Sequence, residues 1–416
     1  MDAEACARPA SATAVLPINI NRIGKFSQPL VSKDNLPLEI WDLIPAIPGD
    51  DAERLLQAVS LLQHSSVPVA FPTETVYGLG ADATRSAAVK GIFAAKQRPS
   101  DNPLIVHIAS LHQLRSLLLG SACSLPHPLP TSTREPIPEI YIPLIHRFWP
   151  GPLTILLPVP QDSPLASETT AGLSTFGARM PRNLLALALI TLADRPIAAP
   201  SANASTKPSP TAAEHVLHDL QGRIDVILDG GPCDVGVEST VVDGLCEPPL
   251  VLRPGGVSLA DIRAVPGWEK CGIAYEDKAL SSAPNGATQG PRAPGMKYRH
   301  YSPKAKVVLF EKGTTLTEDH IRRAGNGSRV GVVRTKNWSQ LTGEKDSAIW
   351  PDMYIGPSTR DVARGLFSAL RDLDRRDVNV IFVEGVSETD SPDGEGDVAA
   401  AVMNRLRKAA EEHVAA

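Results

Sequence analysis

Two threonine hydroxyls, Thr73 and Thr75, sit in the segment Phe71-Pro-Thr-Glu-Thr-Val-Tyr-Gly-Leu-Gly80, which runs from an apolar stretch into glycine-rich backbone. Hydroxyls beside free amides near Gly78 and Gly80 could hold a small polar ligand, and the same residues equally suit a tight strand-to-helix turn. Next comes Lys96-Gln-Arg-Pro-Ser-Asp-Asn-Pro-Leu-Ile-Val-His107. Lys96 and Arg98 close a helical stretch, where cations also favour the negative helix end. That bland role does not account for Asn102 and His107 following so closely. Two cations, an amide donor and an imidazole together make a phosphate and carboxylate grip. A lone histidine in an apolar run is nevertheless more often a satisfied core side chain.

Further along, Ser174-Thr-Phe-Gly-Ala-Arg-Met-Pro181 puts Thr175 and Arg179 near a strand end. The planar fork of Arg179 could clamp an α-carboxylate or simply pair with a surface acid. Ile197-Ala-Ala-Pro-Ser-Ala-Asn203 reads as a buried strand ending at Ala199 and passing to the donors Ser201 and Asn203, with Ser209 just beyond. Polar residues past a strand's carboxyl end are where open α/β sheets keep ligands. Gly236-Val-Glu-Ser-Thr240 and Leu252-Arg-Pro-Gly255 add Ser239 and Arg253. Each segment alone is a weak signal. No Ser-His-Asp set is visible, which points to catalysis by positioning and charge stabilisation.

The elements that must hold these residues alternate. Arg54 to Gln63 carries Leu55, Ala58, Val59 and Leu62 on one stripe and reads as a helix. Ala87 to Ala95, Leu184 to Ala193 and Ala212 to Leu220 read likewise. Strand-like runs fall at 67–71, 104–108, 154–159, 197–199, 226–228, 240–242 and 251–252. This predicts a mixed α/β domain over 51–266, after an aperiodic extension over 1–50 and with a proline-rich surface insertion at 123–143. Residues 267–303 read as a linker, with glycine, proline and small polar residues over 281–294. From 304 to 416 a fresh alternation begins. Strands are predicted near 307–310, 330–333 and 380–384, with a helix over 360–374 started by the Ser358-x-x-Asp361 capping pattern and a last helix through Met403 and Leu406. That order suggests a smaller doubly wound domain.

Composition excludes several classes. Hydrophobic residues at 43% and charged residues at 21% exclude a disordered chain, and no apolar run reaches membrane-span length. A net charge of −5 argues against strong general affinity for nucleic acid, so any anion site is local. The five cysteines are scattered and odd in number, without a C-x-x-C pair. They point away from a disulfide framework or zinc site and towards the reducing cytoplasm.

Taken in order, PTETVYGLG, the K-x-R of Lys96 and Arg98, the S-x-N of Ser201 and Asn203, GVEST and LRPG closely resemble the YrdC/YwlC family, the L-threonylcarbamoyladenylate synthases. The similarity covers roughly Leu55 to Pro266. It continues through Ala293-Pro-Gly-Met-Lys-Tyr-Arg-His-Tyr-Ser-Pro303, which is similar to the linker of the two-domain members. Ala401-Val-Met-Asn-Arg-Leu-Arg-Lys-Ala409 resembles the end of their Rossmann-like second domain. The resemblance implies a YrdC-like twisted mixed sheet with helices, plus that smaller C-terminal domain. It also implies a nucleotidyltransferase that joins L-threonine, bicarbonate and ATP into threonylcarbamoyl-AMP and releases pyrophosphate. Mg²⁺ would accompany ATP, and the product would serve threonylcarbamoyladenosine modification of tRNA.

Carried over by motif, Thr75, His107, Arg179, Ala199 and Ser239 would contact threonine. Arg98, Asn102, Thr175, Ser201, Asn203, Ser209, Arg253 and Tyr301 would contact ATP. Lys96 would share the phosphate and bicarbonate region, acting with Arg98 on the phosphate charge. Tyr301, after a glycine- and proline-rich run, would close over ATP as a lid. Partners would be the downstream tRNA threonylcarbamoyl-transfer machinery, with at most a weak RNA contact and no membrane. Two other classes compete. A double-stranded RNA-binding module is disfavoured by the acidic balance. A hydrogenase-maturation carbamoyltransferase carries zinc-finger cysteine pairs that this chain lacks.

Overall fold

Short apolar, β-branched runs bounded by proline or glycine form the strands, and the apolar stripes between them form helices laid on the sheets. The computed structural model describes residues 12–26, 43–45, 50–121, 134–275, 300–324, 328–339, 349–388 and 396–415. In chain order its strands are β1 (Ala14–Pro17), β2 (Gly24–Phe26), β3 (Leu43–Pro45), β4 (Val69–Phe71), β5 (Gly78–Asp82), β6 (Val106–His107), β7 (Leu153–Pro158), β8 (Thr175–Arg179), β9 (Ile197–Ala198), β10 (Val226–Asp229), β11 (Thr240–Asp243), β12 (Leu250–Arg253), β13 (Gly272–Ile273), β14 (Lys306–Phe310), β15 (Val330–Arg334), β16 (Ile349–Tyr354), β17 (Val380–Glu384) and β18 (Glu412–Val414). Eleven of the described strands make one sheet, ordered β1-β10-β4-β5-β9-β6-β8-β7-β11-β12-β13, with parallel and antiparallel neighbours. Five make a second, wholly parallel sheet, β16-β15-β17-β14-β18. The expected α/β class, a large mixed sheet with a smaller Rossmann-like partner, is what the chain adopts. Among the described residues no helix is long and apolar enough to cross a membrane.

Three readings need correction. The extension over 1–50 is not wholly aperiodic: Ala14–Pro17 pairs in parallel with β10 at the sheet edge, where a four-residue strand has too short a pattern to register. Gly78 and Gly80 lie in strand β5, not in a turn. A Cβ on Gly80 would fall 2.6 Å from the Phe71 ring and 2.9 Å from Ile197, so glycine is there for close strand packing. The first domain also runs past 266, because Trp268 is fully buried with its indole donating to the Ile140 carbonyl, and β13 pairs with β12. The glycine- and proline-rich run 281–294 and the first part of the proline-rich insertion, through residue 133, lie outside the described residues.

The second domain docks through the helix Thr359–Arg375. Ser358 starts it as expected, accepting from the Asp361 amide at 3.1 Å while the Asp361 carboxylate accepts from the Ser358 amide at 3.3 Å. Val362, Leu366, Leu370 and Leu373 form its buried stripe. Gly236, at φ +79°, lies so close to this helix that a Cβ would come 2.4 Å from the Arg364 Cα. Val76 and Val237 of the first domain share a core cluster with Tyr301 and this helix, so apolar packing crosses the boundary.

Candidate active site

Strand register brings the first two functional side chains together. β6 and β8 run parallel with His107 opposite Arg179, so both side chains point to the same face at the strands' carboxyl ends. β4 ends at Phe71, and the following loop is folded by the Thr73 hydroxyl, which donates to the Val76 carbonyl at 2.7 Å and lies 2.8 Å from the Thr75 hydroxyl. Arg179 reaches this loop. It donates to the Thr75 Oγ1 at 2.9 Å and to the Gly151 carbonyl at 3.1 Å, and its Nη2 lies 2.6 Å from the Glu74 Oε1. Glu74 and Arg179 are both buried, which orients the guanidinium.

A second arginine is held from the other side. Arg253, at the end of β12, donates from Nη2 to the Ser239 carbonyl at 2.9 Å and to its hydroxyl at 3.0 Å. Ser239 also lies 2.8 Å from the Thr154 hydroxyl. The neighbouring Glu238 accepts from Ser209 at 2.5 Å and from Arg405 of the second domain at 3.0 Å. Arg405 and Arg253 beside it overcome the penalty of burial and hold its carboxyl down at about 2. Burial pushes Arg253 down to about 10 and His107 down to about 3, so His107 is a neutral imidazole at pH 7.

These elements enclose one cavity. Of the residues named from the sequence, Thr75, Arg98, His107, Arg179, Ala199, Ser201, Ser239, Arg253 and Tyr301 line it. Three arginines against one lining carboxylate, Glu238, make it a pocket for anions. Thr73, Glu238 and His300 line it too, and Glu74 backs it. Of these four the Thr73 hydroxyl is the one the sequence offers to a polar ligand, and Glu238, His300 and Glu74 carry no role read from sequence. The two glutamates stood inside the quoted motifs, but an acid beside an anion site has the wrong sign until its arginine partner is seen.

Five named residues do not line the cavity. Lys96 was expected at the phosphates. Instead its buried ammonium donates to the Ser201 carbonyl and, at 2.7 Å, to the Asn203 carbonyl. Burial, with Arg98 nearby, pushes its pKa well below the lysine range. Asn203 ties the same turn, donating to the carbonyls of Ala204 and Lys207 at 2.8 and 2.9 Å. Ser209 is turned onto Glu238. Asn102 is buried beside Asp101, with an Oδ1 that has no hydrogen-bond partner among the described residues. Thr175 begins β8, four residues before Arg179 and roughly 13 Å along the strand.

Tyr301 is inside, not above. It is 1% exposed, stacks 5.3 Å from Phe367, lies under the Arg405 guanidinium and adopts φ +68°, a left-handed conformation that tyrosine seldom takes. With His300 and Tyr301 in place the cavity is about 50 Å³. A water occupies about 30 Å³ and ligand pockets run to roughly 300–1,000 Å³. As it stands the cavity is smaller than ordinary ligand pockets.

Comparison with known proteins meets this geometry. The family profile described as Telomere recombination (Sua5, YciO and YrdC) matches residues 62–255, and the one described as Threonylcarbamoyl-AMP synthase, C-terminal domain, matches 257–411. The threonylcarbamoyl-AMP synthase of Schizosaccharomyces pombe is 48% identical over 379 residues, covering 87% of this chain and 90% of the relative. That of Bacillus subtilis is 44% identical over 363 residues, covering 86% and 93%. The crystal structure of Pyrococcus abyssi Sua5 complexed with L-threonine superposes with a TM-score of 0.70 at 42% identity, over 87% of this chain and 96% of that one. With both profiles matched in order and near-half identity over most of its length, the chain belongs to the threonylcarbamoyl-AMP synthase family, in its two-domain form.

Proposed function

We propose that this enzyme joins L-threonine, bicarbonate and ATP into L-threonylcarbamoyl-AMP, releasing pyrophosphate and water, for threonylcarbamoyladenosine modification of tRNA. The observation that carries the reading is the shared cavity, lined by Arg179, Thr75 and His107 together with Arg98 and Arg253. The threonine carboxylate lies on the Arg179 fork, with its side chain between Thr75, His107, Ala199 and Ser239. The ATP phosphates lie towards Arg98, Arg253 and Ser201. The threonine nitrogen attacks the bicarbonate carbon, with loss of water, to give a carbamate. A carbamate oxygen then attacks the α-phosphorus, and the bond to pyrophosphate breaks. Arginines fixed in advance by buried partners stabilise the growing phosphate charge without reorganising. Lys96 acts by position, holding the loop that presents Ser201.

Glu74 and Glu238 are committed to arginines, and no cluster of three metal-ligating side chains is present among the described residues. Mg²⁺ is therefore read as ATP's companion ion, entering on its phosphates. Withdrawal of Tyr301 admits ATP and its return excludes water from the adenylate. The adenylate then passes to the tRNA threonylcarbamoyl-transfer machinery in the cytoplasm, a setting that suits the buried thiols Cys233 and Cys271. The deciding assay is pyrophosphate release from ATP with threonine and bicarbonate supplied together or singly. Release that requires both supports the reading; release indifferent to threonine refutes it.

A further inference from the structure

A second cavity, about 180 Å³, opens at the seam between the domains and shares no lining residue with the catalytic one. That is room for about six waters at their liquid volume. Lys207, His215 and His218 come from the first domain, and Lys304, Arg371 and Arg375 from the second.

Hydrogen-bond accounting shows what this space lacks. His215 is 2% exposed, and its Nδ1 lies 3.2 Å from the Thr211 backbone nitrogen. A backbone N–H only donates, so Nδ1 accepts and the proton of the neutral ring sits on Nε2. Burial, with Arg371 and Arg375 nearby, keeps the ring neutral, its pKa pushed down to about 4. Among the described residues the Nε2 proton has no hydrogen-bond partner, and the closest acid, the Glu214 Oε1 at 3.7 Å, is beyond reach and is also approached by Arg375.

The acceptors nearby are already taken. Asp219, whose side chain is fully buried, receives both Lys207 at 3.0 Å and Arg371 at 2.7 Å, two cations on one carboxylate. Asp374 accepts the backbone amides of Lys304 and Ala305 at 2.8 to 3.0 Å. Arg375 is shared between Asp372 and Glu214, and Asp377 stands exposed at the rim. At His218 the cations Lys207, Arg371 and Lys304 are joined by Asp219, with Asp374 and Asp377 lining the same cavity. Beside His215 the missing partner is an acceptor.

We propose that this seam cavity is a second anion site, which takes a phosphate-class oxyanion, free phosphate or pyrophosphate, on His215 Nε2, Lys207 and Lys304. Such an anion ties the domains together. It also touches the stretch that feeds the catalytic cavity, since Arg371 holds the Pro208 carbonyl and Ser209 donates to Glu238.

The test uses the full-length chain carrying Arg98→Ala, which weakens oxyanion binding in the catalytic cavity. Inorganic phosphate and pyrophosphate are titrated separately by calorimetry against potassium chloride at matched ionic strength. One saturable site should remain, weakened at least tenfold by Lys304→Ala, a change at an exposed side chain. The ¹⁵N resonance of His215 Nε2 should move on saturation and stay still in the Lys304→Ala protein. Tighter pyrophosphate binding assigns the site to pyrophosphate, and equal or tighter phosphate binding assigns it to phosphate. No site in the Arg98→Ala background, an isotherm unchanged by Lys304→Ala, or the same response to chloride overturns the proposal.

Discussion

Arg179 already has a protein partner on each of its three nitrogens before any substrate arrives, with one N–H on each Nη left for substrate, and this changes how its role can be tested. Truncation to alanine strands the buried Glu74 carboxylate, and breaking a buried pair costs about 3–5 kcal/mol of stability. A fall in threonine affinity would then be confounded with unfolding. Arg179→Lys keeps the charge on Glu74 but loses the planar fork. It should weaken threonine at least tenfold while leaving ATP binding within about twofold, both read by calorimetry; equal loss of both ligands would remove Arg179 from the threonine side. The buried histidines make a second residue-scale prediction. His107 and His215 have folded pKa values of about 3 and about 4, below the unfolded value near 6.5. The unfolded chain therefore binds protons first as pH falls. Their contribution is complete above pH 6.5 and declines below it, by about 1.4 kcal/mol per pH unit for each, until the folded values are reached. Urea unfolding at pH 7.0, 6.0 and 5.0 measures this, and a stability independent of pH over that range would contradict both burials.

At the scale of elements, the segment entering the second domain is a plug as much as a lid. Tyr301 packs with Phe367, Val76 and Val237, so removing its ring opens a cavity in a shared core. Tyr301→Ala should cost about 3–5 kcal/mol of stability along with activity. A ring that served only as a lid over ATP would leave stability unchanged on removal, whereas this one is 1% exposed. Tyr301→Phe separates the roles. It keeps the packing and removes the hydroxyl, whose pKa burial and Glu238 push up to about 12. Its melting temperature should match the parent within about 2 °C. Adenylate formation should fall if the hydroxyl meets ATP, and an unchanged rate would restrict Tyr301 to packing.

Across the whole molecule the two domains are joined by buried charge as well as by apolar contact. Arg405, fully buried in the helix Gly396–Ala409, crosses to Glu238 at 3.0 Å and to the Pro254 carbonyl at 2.5 Å. Replacing it with methionine leaves Glu238 buried with fewer positive neighbours. The expected result is a loss of about 3–5 kcal/mol and a rise in the carboxyl pKa of Glu238. Because Glu238 also positions Ser209 and lines the catalytic cavity, the KM for ATP should rise too. Unfolding curves and ATP saturation kinetics for Arg405→Met check both, and a variant with normal ATP kinetics would show that the second domain's grip does not reach the site.

Much of the chemistry was legible in the chain because it is carried by short contiguous strings. PTETVYGLG, K-x-R, S-x-N, GVEST and LRPG each keep a loop and its polar side chains together, and they supply five of the nine named residues that line the cavity: Thr75, Arg98, Ser201, Ser239 and Arg253. The long amphipathic helices were legible for a related reason: the 3.6-residue period of Val362, Leu366, Leu370 and Leu373 is a local property. Edge strands as short as Ala14–Pro17 and Gly272–Ile273 were not, since two to four residues carry no measurable period and pair only with partners distant in sequence. Lys96 shows the same limit at the site. Its type and neighbours suited a phosphate, but where its ammonium ends was decided by the carbonyls of Ser201 and Asn203, over a hundred residues away. Glu74 and Glu238 became intelligible only beside Arg179 and Arg405. Residue type sets what a side chain can do, whereas burial and the opposite charge that packing brings to it settle which of those things it does.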